Sequence, residues 1–158
     1  MNLLELAATM STEMCARGTL HPHKSLLSDY SGVDWKFHQS FCQEHYTRNL
    51  VYKDENLEMR IICWEAGQKC RVHDHPVQGC LVKVLQGTLQ EECFVRGEDD
   101  SRDGPLVCTK INELGLGGIS YQIGAAGLHR ISNNGTERAV TLHIYSPPGY
   151  LPEFFDAN

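Results

Sequence analysis

Read as a pattern of apolar and polar positions, the chain changes texture at about Tyr46. Before that point Leu3, Leu6, Ala7, Met10 and Met14 recur at helical spacing, which predicts an amphipathic helix over residues 3–16 with Gly18 as its stop. The following HPHKSLLSDYSG has no clear period and ends on a turn signal, and residues 33–42, VDWKFHQSFC, suit a short second helix. From Tyr46 onward short runs rich in β-branched and aromatic residues alternate with Gly, Asn and Asp turns: YTRNLVY, LEMRIICWEA, CLVKVLQ, TLQEECFVR, LVCTKINEL, ISYQIG, HRISN and AVTLHIYS. That is an all-β pattern, interrupted by an acidic loop at Gly97–Gly104. No internal repeat or low-complexity tract is visible. The expectation is one domain over residues 1–158, with a helical cap over 1–45 and a small antiparallel barrel over 46–150.

Composition narrows the class of function. A chain of 158 residues can bury about 70% of its unfolded surface, enough for a core without disulfides. The formal net charge of −6 argues against nucleic acid or an anionic membrane as partner. No apolar run approaches the ~20 residues needed to span a bilayer. MNLLELAATMSTEMCAR, with Glu5 and no basic start, does not read as a signal peptide. Seven cysteines (15, 42, 63, 70, 80, 93, 108) are an odd number without paired spacing, so the reading is a cytoplasmic protein with free thiols.

The candidate chemistry centres on residues 67–87, GQKCRVHDHPVQGCLVKVLQG. His73 and His75 stand two apart, and side chains at i and i+2 of a strand share a face, so two imidazoles can converge on one metal ion while Asp74 points away. The spacing G-x5-H-x-H-x4-C-x6-G resembles the first cupin motif, with Cys80 where most cupins have a glutamate ligand. The stretch from Gly118 through Gly124 to His129 and Asn133 resembles the second, with Gly124 in place of its usual proline and Ala126 in place of its second glycine, and makes His129 the third ligand. Three neutral imidazoles hold a divalent transition ion and leave positions open. A structural zinc site from Cys70, His73, His75 and Cys80 is an alternative, and a polar patch at a strand end is the plainer one. His21 and His23 repeat the two-apart spacing around Pro22 without a surrounding pattern. Thr141, His143 and Tyr145 alternate along one strand face, where buried polar groups need partners. Tyr46 and Arg48 do the same on another strand. An inward arginine needs an anion, and a guanidinium binds a carboxylate in bidentate fashion, although a strand-end arginine can also be simply solvated.

Together YTRNLV, HDHPVQGCLVKVLQGTLQE, GLHRISN and VTLHIYSPP resemble the eukaryotic cysteine dioxygenases over about Tyr46–Pro148. The resemblance implies a cupin jelly-roll barrel holding iron(II) on His73, His75 and His129. It implies a thiol dioxygenase of cysteine catabolism, working as a monomer, that oxidises L-cysteine with O2 to cysteine sulfinic acid. Arg48 would hold the substrate carboxylate with Tyr46 nearby, Cys80 and Tyr145 would form a thioether cross-link, and His143 would support Tyr145. Thr141 stands where mammalian members have serine; its extra methyl stiffens the side chain. Familiar members continue with further strands past SPPGYLPEFFDAN, and Phe154 and Phe155 are expected to fill part of the space those strands cover. Two other readings stay open. One is dioxygenation of another small thiol such as 3-mercaptopropionate, against which Arg48 and Cys80 argue. The other is a zinc cupin acting as hydrolase, isomerase or ligand-binding protein.

Overall fold

The computed structural model describes residues 1–97 and 104–157, without the side chains of residues 15–17. The acidic loop expected at Gly97–Gly104 lies, between its two glycines, outside the described residues, as does the Cys15 side chain; the other six cysteines are free thiols.

The first helix, α1 (Leu3–Arg17), starts on a capping box in which Asn2 Oδ1 accepts from Glu5 N at 2.9 Å and Asn2 N donates to the Glu5 carboxylate at 2.9 Å. It stops at Gly18, whose φ of 69° is the left-handed geometry of a helix C-terminus. The patternless segment that follows contains a 3-10 turn at His21–His23 and a second helix, α2 (Lys24–Asp29). The helix expected over residues 33–42 is instead a 3-10 helix at Asp34–His38. Of its apolar residues Trp35 is buried but Phe37 is 90% exposed, so no apolar stripe drives a longer helix. The chain is already extended at Gln39, with φ −81° and ψ 141°.

The strands are β1 (Thr47–Lys53), β2 (Glu58–Trp64), β3 (Val72–His73), β4 (Cys80–Gln86), β5 (Leu89–Arg96), β6 (Leu106–Leu114), β7 (Ile119–Gln122), β8 (Leu128–Ser132), β9 (Ala139–Tyr145) and β10 (Phe154–Phe155). They form two antiparallel five-stranded sheets, ordered β1-β2-β9-β4-β7 and β10-β3-β8-β5-β6. At the turn between β4 and β5, Gly87 has a φ of 76°, and a Cβ there would meet the Arg138 carbonyl at 2.8 Å, so the reversal needs glycine.

Alternation explains the core. Met59, Ile61 and Cys63 of β2, Leu81 of β4, and Val140, Leu142 and Ile144 of β9 pack outward against Leu3, Leu6, Met10 and Leu27 of the helices. The intervening residues Ile62, Trp64, Cys80, Val82, Val84 and Tyr145 face inward, where Leu89 and Ile131 of the other sheet meet them. Every residue of β9 is therefore buried. Lys83 is the exception in β4: its Nζ reaches under α2 and donates to the carbonyls of Leu27, Ser28 and Tyr30 at 2.9, 2.8 and 2.6 Å. Lys83 thus supplements the single cap bond at this end, from the Tyr30 amide to the Leu27 carbonyl at 3.3 Å. Among the described residues no helix is long and apolar enough to cross a membrane.

Candidate functional site

His73 ends β3 and is the register partner of His129 on β8. His75 follows two residues on, its amide donating to the Gly124 carbonyl at 3.2 Å. The strand itself stops at His73, yet the rings converge. The centroid separations are 4.9 Å for His73–His75, 4.8 Å for His73–His129 and 4.4 Å for His75–His129. One nitrogen from each ring lies within 4.8 Å of the others.

The hydrogen bonds behind the rings decide what the cluster can do. His73 Nδ1 faces the Arg71 carbonyl at 2.8 Å, His75 Nδ1 the Gly127 carbonyl at 2.5 Å, and His129 Nδ1 a Glu91 carboxylate oxygen at 2.8 Å. Carbonyls and carboxylates only accept, so all three Nδ1 atoms carry the proton and all three Nε2 lone pairs are left for another use. His75 Nε2 and His129 Nε2 stand 3.0 Å apart with no proton between them in that tautomer. Such a set is arranged to hold a cation. This arrangement of imidazoles, each oriented through its second nitrogen, is how protein metal ligands are held. Burial and the neighbouring His129 push His73 down to about 3, and burial drives His75 well below the ordinary range, so both are the neutral bases that ligation requires. Burial would raise the Glu91 carboxyl, but the hydrogen bond from His129, with those from Ser120 and Asn112, holds it below the ordinary carboxylate range.

A second chain of polar contacts lies on β9. Trp64 Nε1 donates to Thr141 Oγ1 at 3.0 Å, Thr141 Oγ1 meets His143 Nε2 at 2.9 Å, and His143 Nδ1 meets Tyr145 Oη at 3.1 Å. Arg48 Nη2 donates to that hydroxyl at 3.3 Å. Burial, followed by the Arg48 charge, drives His143 well below its usual range, so the imidazole is neutral. Two proton arrangements satisfy the chain: either Thr141 donates to His143, which donates to Tyr145, or Tyr145 donates to His143, which donates to Thr141, with Thr141 donating to the Ile62 carbonyl at 3.5 Å. In the first the tyrosine hydroxyl is free to donate to whatever lies beside it. Burial pushes the Tyr145 hydroxyl up, so it remains a neutral donor. Cys80 and Tyr145 are directly opposed across β4 and β9 and share the interior cluster. Tyr46 stacks on Trp64 at 4.6 Å. A small cleft beside these groups is lined by Arg48, Glu58, His73, Asp74, Tyr145, Tyr150 and Pro152.

Residues 23–157 match the family model described as "Cysteine dioxygenase type I". The chain belongs to the cysteine dioxygenase type I family. It is 37% identical over 126 residues to cysteine dioxygenase type 1 of Homo sapiens, a match covering 78% of this chain and 62% of the human protein's length. It is 36% identical over 139 residues to that of Danio rerio, covering 84% of this chain and 68% of the relative. Among solved structures it resembles a Klebsiella pneumoniae protein with a double-stranded β-helix domain at a TM-score of 0.62 and 14% identity, over 80% of this chain and 93% of that one. A cupin 2 conserved barrel protein from Leptotrichia buccalis matches at a TM-score of 0.52 and 19% identity, over 68% and 44%. These two bear on the fold alone: a cupin-type double-stranded β-helix.

In this cysteine dioxygenase family chain the structure brings the sequence-derived candidates into two adjoining groups, His73, His75 and His129 on one side and Arg48, Cys80, Thr141, His143 and Tyr145 on the other. Asp74 stays outside the histidine cluster but lines the same cleft: its Oδ1 accepts from Tyr150 Oη and Glu153 N, both at 2.8 Å. Cys70 is turned aside, its thiol against the Ile131 backbone, so neither it nor Cys80 joins the histidine cluster. His23 lies buried beside Glu13 at 3.0 Å, away from the cluster. Sequence reading missed Glu91 and Trp64 as site residues. The signal for Glu91 was available: a carboxylate two places from Leu89 and from Cys93, on the inward face of TLQEECF. Phe154 and Phe155 form β10, which pairs with His73 and Val72 of β3.

Proposed function

We propose that the chain is a thiol dioxygenase that binds iron(II) through His73, His75 and His129 and converts L-cysteine and O2 into cysteine sulfinic acid. The observation that carries this reading is the convergence of three Nε2 lone pairs whose Nδ1 partners are all acceptors, beside the Arg48–Tyr145 pair. Family membership supplies the substrate class. The balance is R–SH + O2 → R–SO2H, with sulfur oxidised and both oxygen atoms retained on it. Bound iron would supply the O2 chemistry and favour cysteine as its thiolate.

The protein's own residues do the placing. Arg48 offers a permanently charged planar fork to the substrate carboxylate. Tyr145, held by His143 and Thr141, presents a neutral hydroxyl that can donate to the bound substrate and limit its orientations. Trp64 fixes the far end of that chain and carries Tyr46 on its ring face. The direct opposition of Cys80 and Tyr145 supports a thioether: an S–C bond forms, the S–H and one ring C–H bond break, and two electrons and two protons pass to O2. Six free thiols fit a reducing, cytosolic setting.

Metal analysis combined with O2 uptake on L-cysteine tests the reading. The expected result is iron at near stoichiometry, cysteine-dependent O2 consumption and a product heavier than cysteine by two oxygen atoms. Bound zinc with no O2 uptake after iron loading would sink it, and faster uptake with 3-mercaptopropionate than with cysteine would move the substrate. Intact mass after prolonged turnover should show two species differing by two hydrogens. Cys80→Ser should leave one species with measurable dioxygenase activity, because neither ligation nor carboxylate binding uses the sulfur.

A further inference from the structure

We propose that Glu91 is a positioning residue that makes His129 unlike the other two ligands, so that the site behaves as three imidazoles backed by one buried carboxylate. The inference rests on the proposed metal site and deepens it. Glu91 is 2% exposed and stands on β5, two residues before Cys93, the register partner of His129. Its carboxylate takes four donors. His129 Nδ1 lies 2.8 Å from Oε1, Gln122 Nε2 3.3 Å from the same oxygen, and Asn112 Nδ2 3.2 Å from Oε2. Ser120 Oγ also donates to Oε1. An ionised carboxylate is acceptor-only, so the set is self-consistent only with Glu91 charged and His129 protonated on Nδ1.

The donors come from three strands in two sheets. Asn112 is on β6 and His129 on β8 of one sheet, Ser120 and Gln122 on β7 of the other. Glu91 therefore ties the sheets together directly behind one ligand. His73 and His75 have no equivalent: their Nδ1 protons go to the neutral carbonyls of Arg71 and Gly127. A hydrogen bond to an anion is roughly twice as strong as one to a neutral acceptor, and it raises the basicity of the imidazole's other nitrogen. His129 should be the strongest donor of the three, with its ring orientation fixed by a bond network rather than by one backbone oxygen.

Glutamine at this position keeps the shape but offers one acceptor oxygen and presents an amide NH2 group to groups that themselves donate. The test loads the full chain with cobalt(II), a redox-silent probe under these conditions, so that the readout is independent of turnover. Affinity is measured by chelator competition, and the exchangeable Nδ1 protons of the three ligands by paramagnetically shifted NMR. Glu91→Gln should weaken cobalt binding by about 10- to 100-fold and displace one of three exchangeable resonances while the other two hold. Asn112→Ala, which loosens the carboxylate without touching an imidazole, should move the same resonance by less. A folded Glu91→Gln protein that binds cobalt within twofold of the parent, with all three resonances in place, overturns the inference. Should Glu91→Gln fail to fold, an unmoved resonance in Asn112→Ala overturns it in the same way. A parent chain that binds cobalt through three imidazoles but, loaded with iron, consumes no O2 with cysteine would instead sink the functional reading and leave the Glu91 result standing.

Discussion

The two sheets hold their share of the site by different means. In β1-β2-β9-β4-β7 both faces of the central strands are covered, by helices outside and by the barrel interior inside, and all of β9 is buried. The sheet β10-β3-β8-β5-β6 ends on a strand that is largely exposed, with Ile111 at 62%. Yet His73 and His129 sit on this second sheet, while Arg48, Cys80, Thr141, His143 and Tyr145 sit on the first. Of the groups that would handle the substrate, Cys80, Thr141, His143 and Tyr145 are buried between two apolar layers, the last three also linked by hydrogen bonds to Trp64 and Arg48, while Arg48 itself stands exposed on the edge strand β1. The ligand cluster is placed by polar bonds to each Nδ1. The lesson is that a metal site can be built on the less covered half of a fold when each ligand has its own acceptor.

The widest separation between the halves should come from Leu6→Ala. Leu6 is fully buried between α1 and the first sheet, and a large-to-small change of this kind costs about 2–5 kcal/mol. Denaturant unfolding should show that loss while metal affinity of the folded protein stays within about twofold of the parent, a difference too small to reach the 1.4 kcal/mol of a decade. A parallel fall in metal affinity would mean that packing under the helices reaches the histidines through the β7 bonds to Glu91. Next comes Arg48→Ala. Loss of a charge-assisted bond of about 1.5–3 kcal/mol corresponds to roughly 10- to 150-fold weaker use of cysteine, with metal content unchanged and cysteamine, which lacks a carboxylate, scarcely affected. Equal losses for both thiols would assign Arg48 a structural job. The smallest effect belongs to the segment joining the halves. Tyr150→Phe removes the hydroxyl bond to Asp74 but leaves the Glu153 amide in place, so about 1 kcal/mol is expected, together with faster hydrogen exchange at the Asp74 amide, which donates to the Glu153 carbonyl. No change in that exchange would show the segment to be held by β10 alone.

Much of this was legible because strands print their faces on the sequence. CLVKVLQ and LVCTKINEL coincide with β4 and β6 residue for residue, and the alternation in AVTLHIY put Thr141, His143 and Tyr145 on one face, as found. The histidine spacing pointed to His73 and His75 of the three-histidine cluster although β3 ends at His73, because convergence depends on the extended reach of His-Asp-His rather than on a long ladder. What stayed hidden depends on contacts distant in sequence. α2 is six residues long, too short to show a period, and its end is held by Lys83, 54 positions beyond Asp29. The lone lysine inside CLVKVLQ was a visible anomaly whose partner no local pattern names. Glu91 was hidden the same way, since its donors come from β6, β7 and β8.

The opposition of Cys80 and Tyr145 also has a consequence for the unfolded chain. A thioether between them would close a covalent ring running from β4 through β9, containing His129 but leaving His73, His75 and the whole helical cap outside it. By the loop-closure relation for cross-links, a ring of roughly 65 residues removes about 4 kcal/mol worth of conformational freedom from the denatured ensemble. Turnover would then do more than mature a side chain. Each molecule that had worked would become harder to unfold than one that had not, so a population's resistance to denaturation would record its catalytic history.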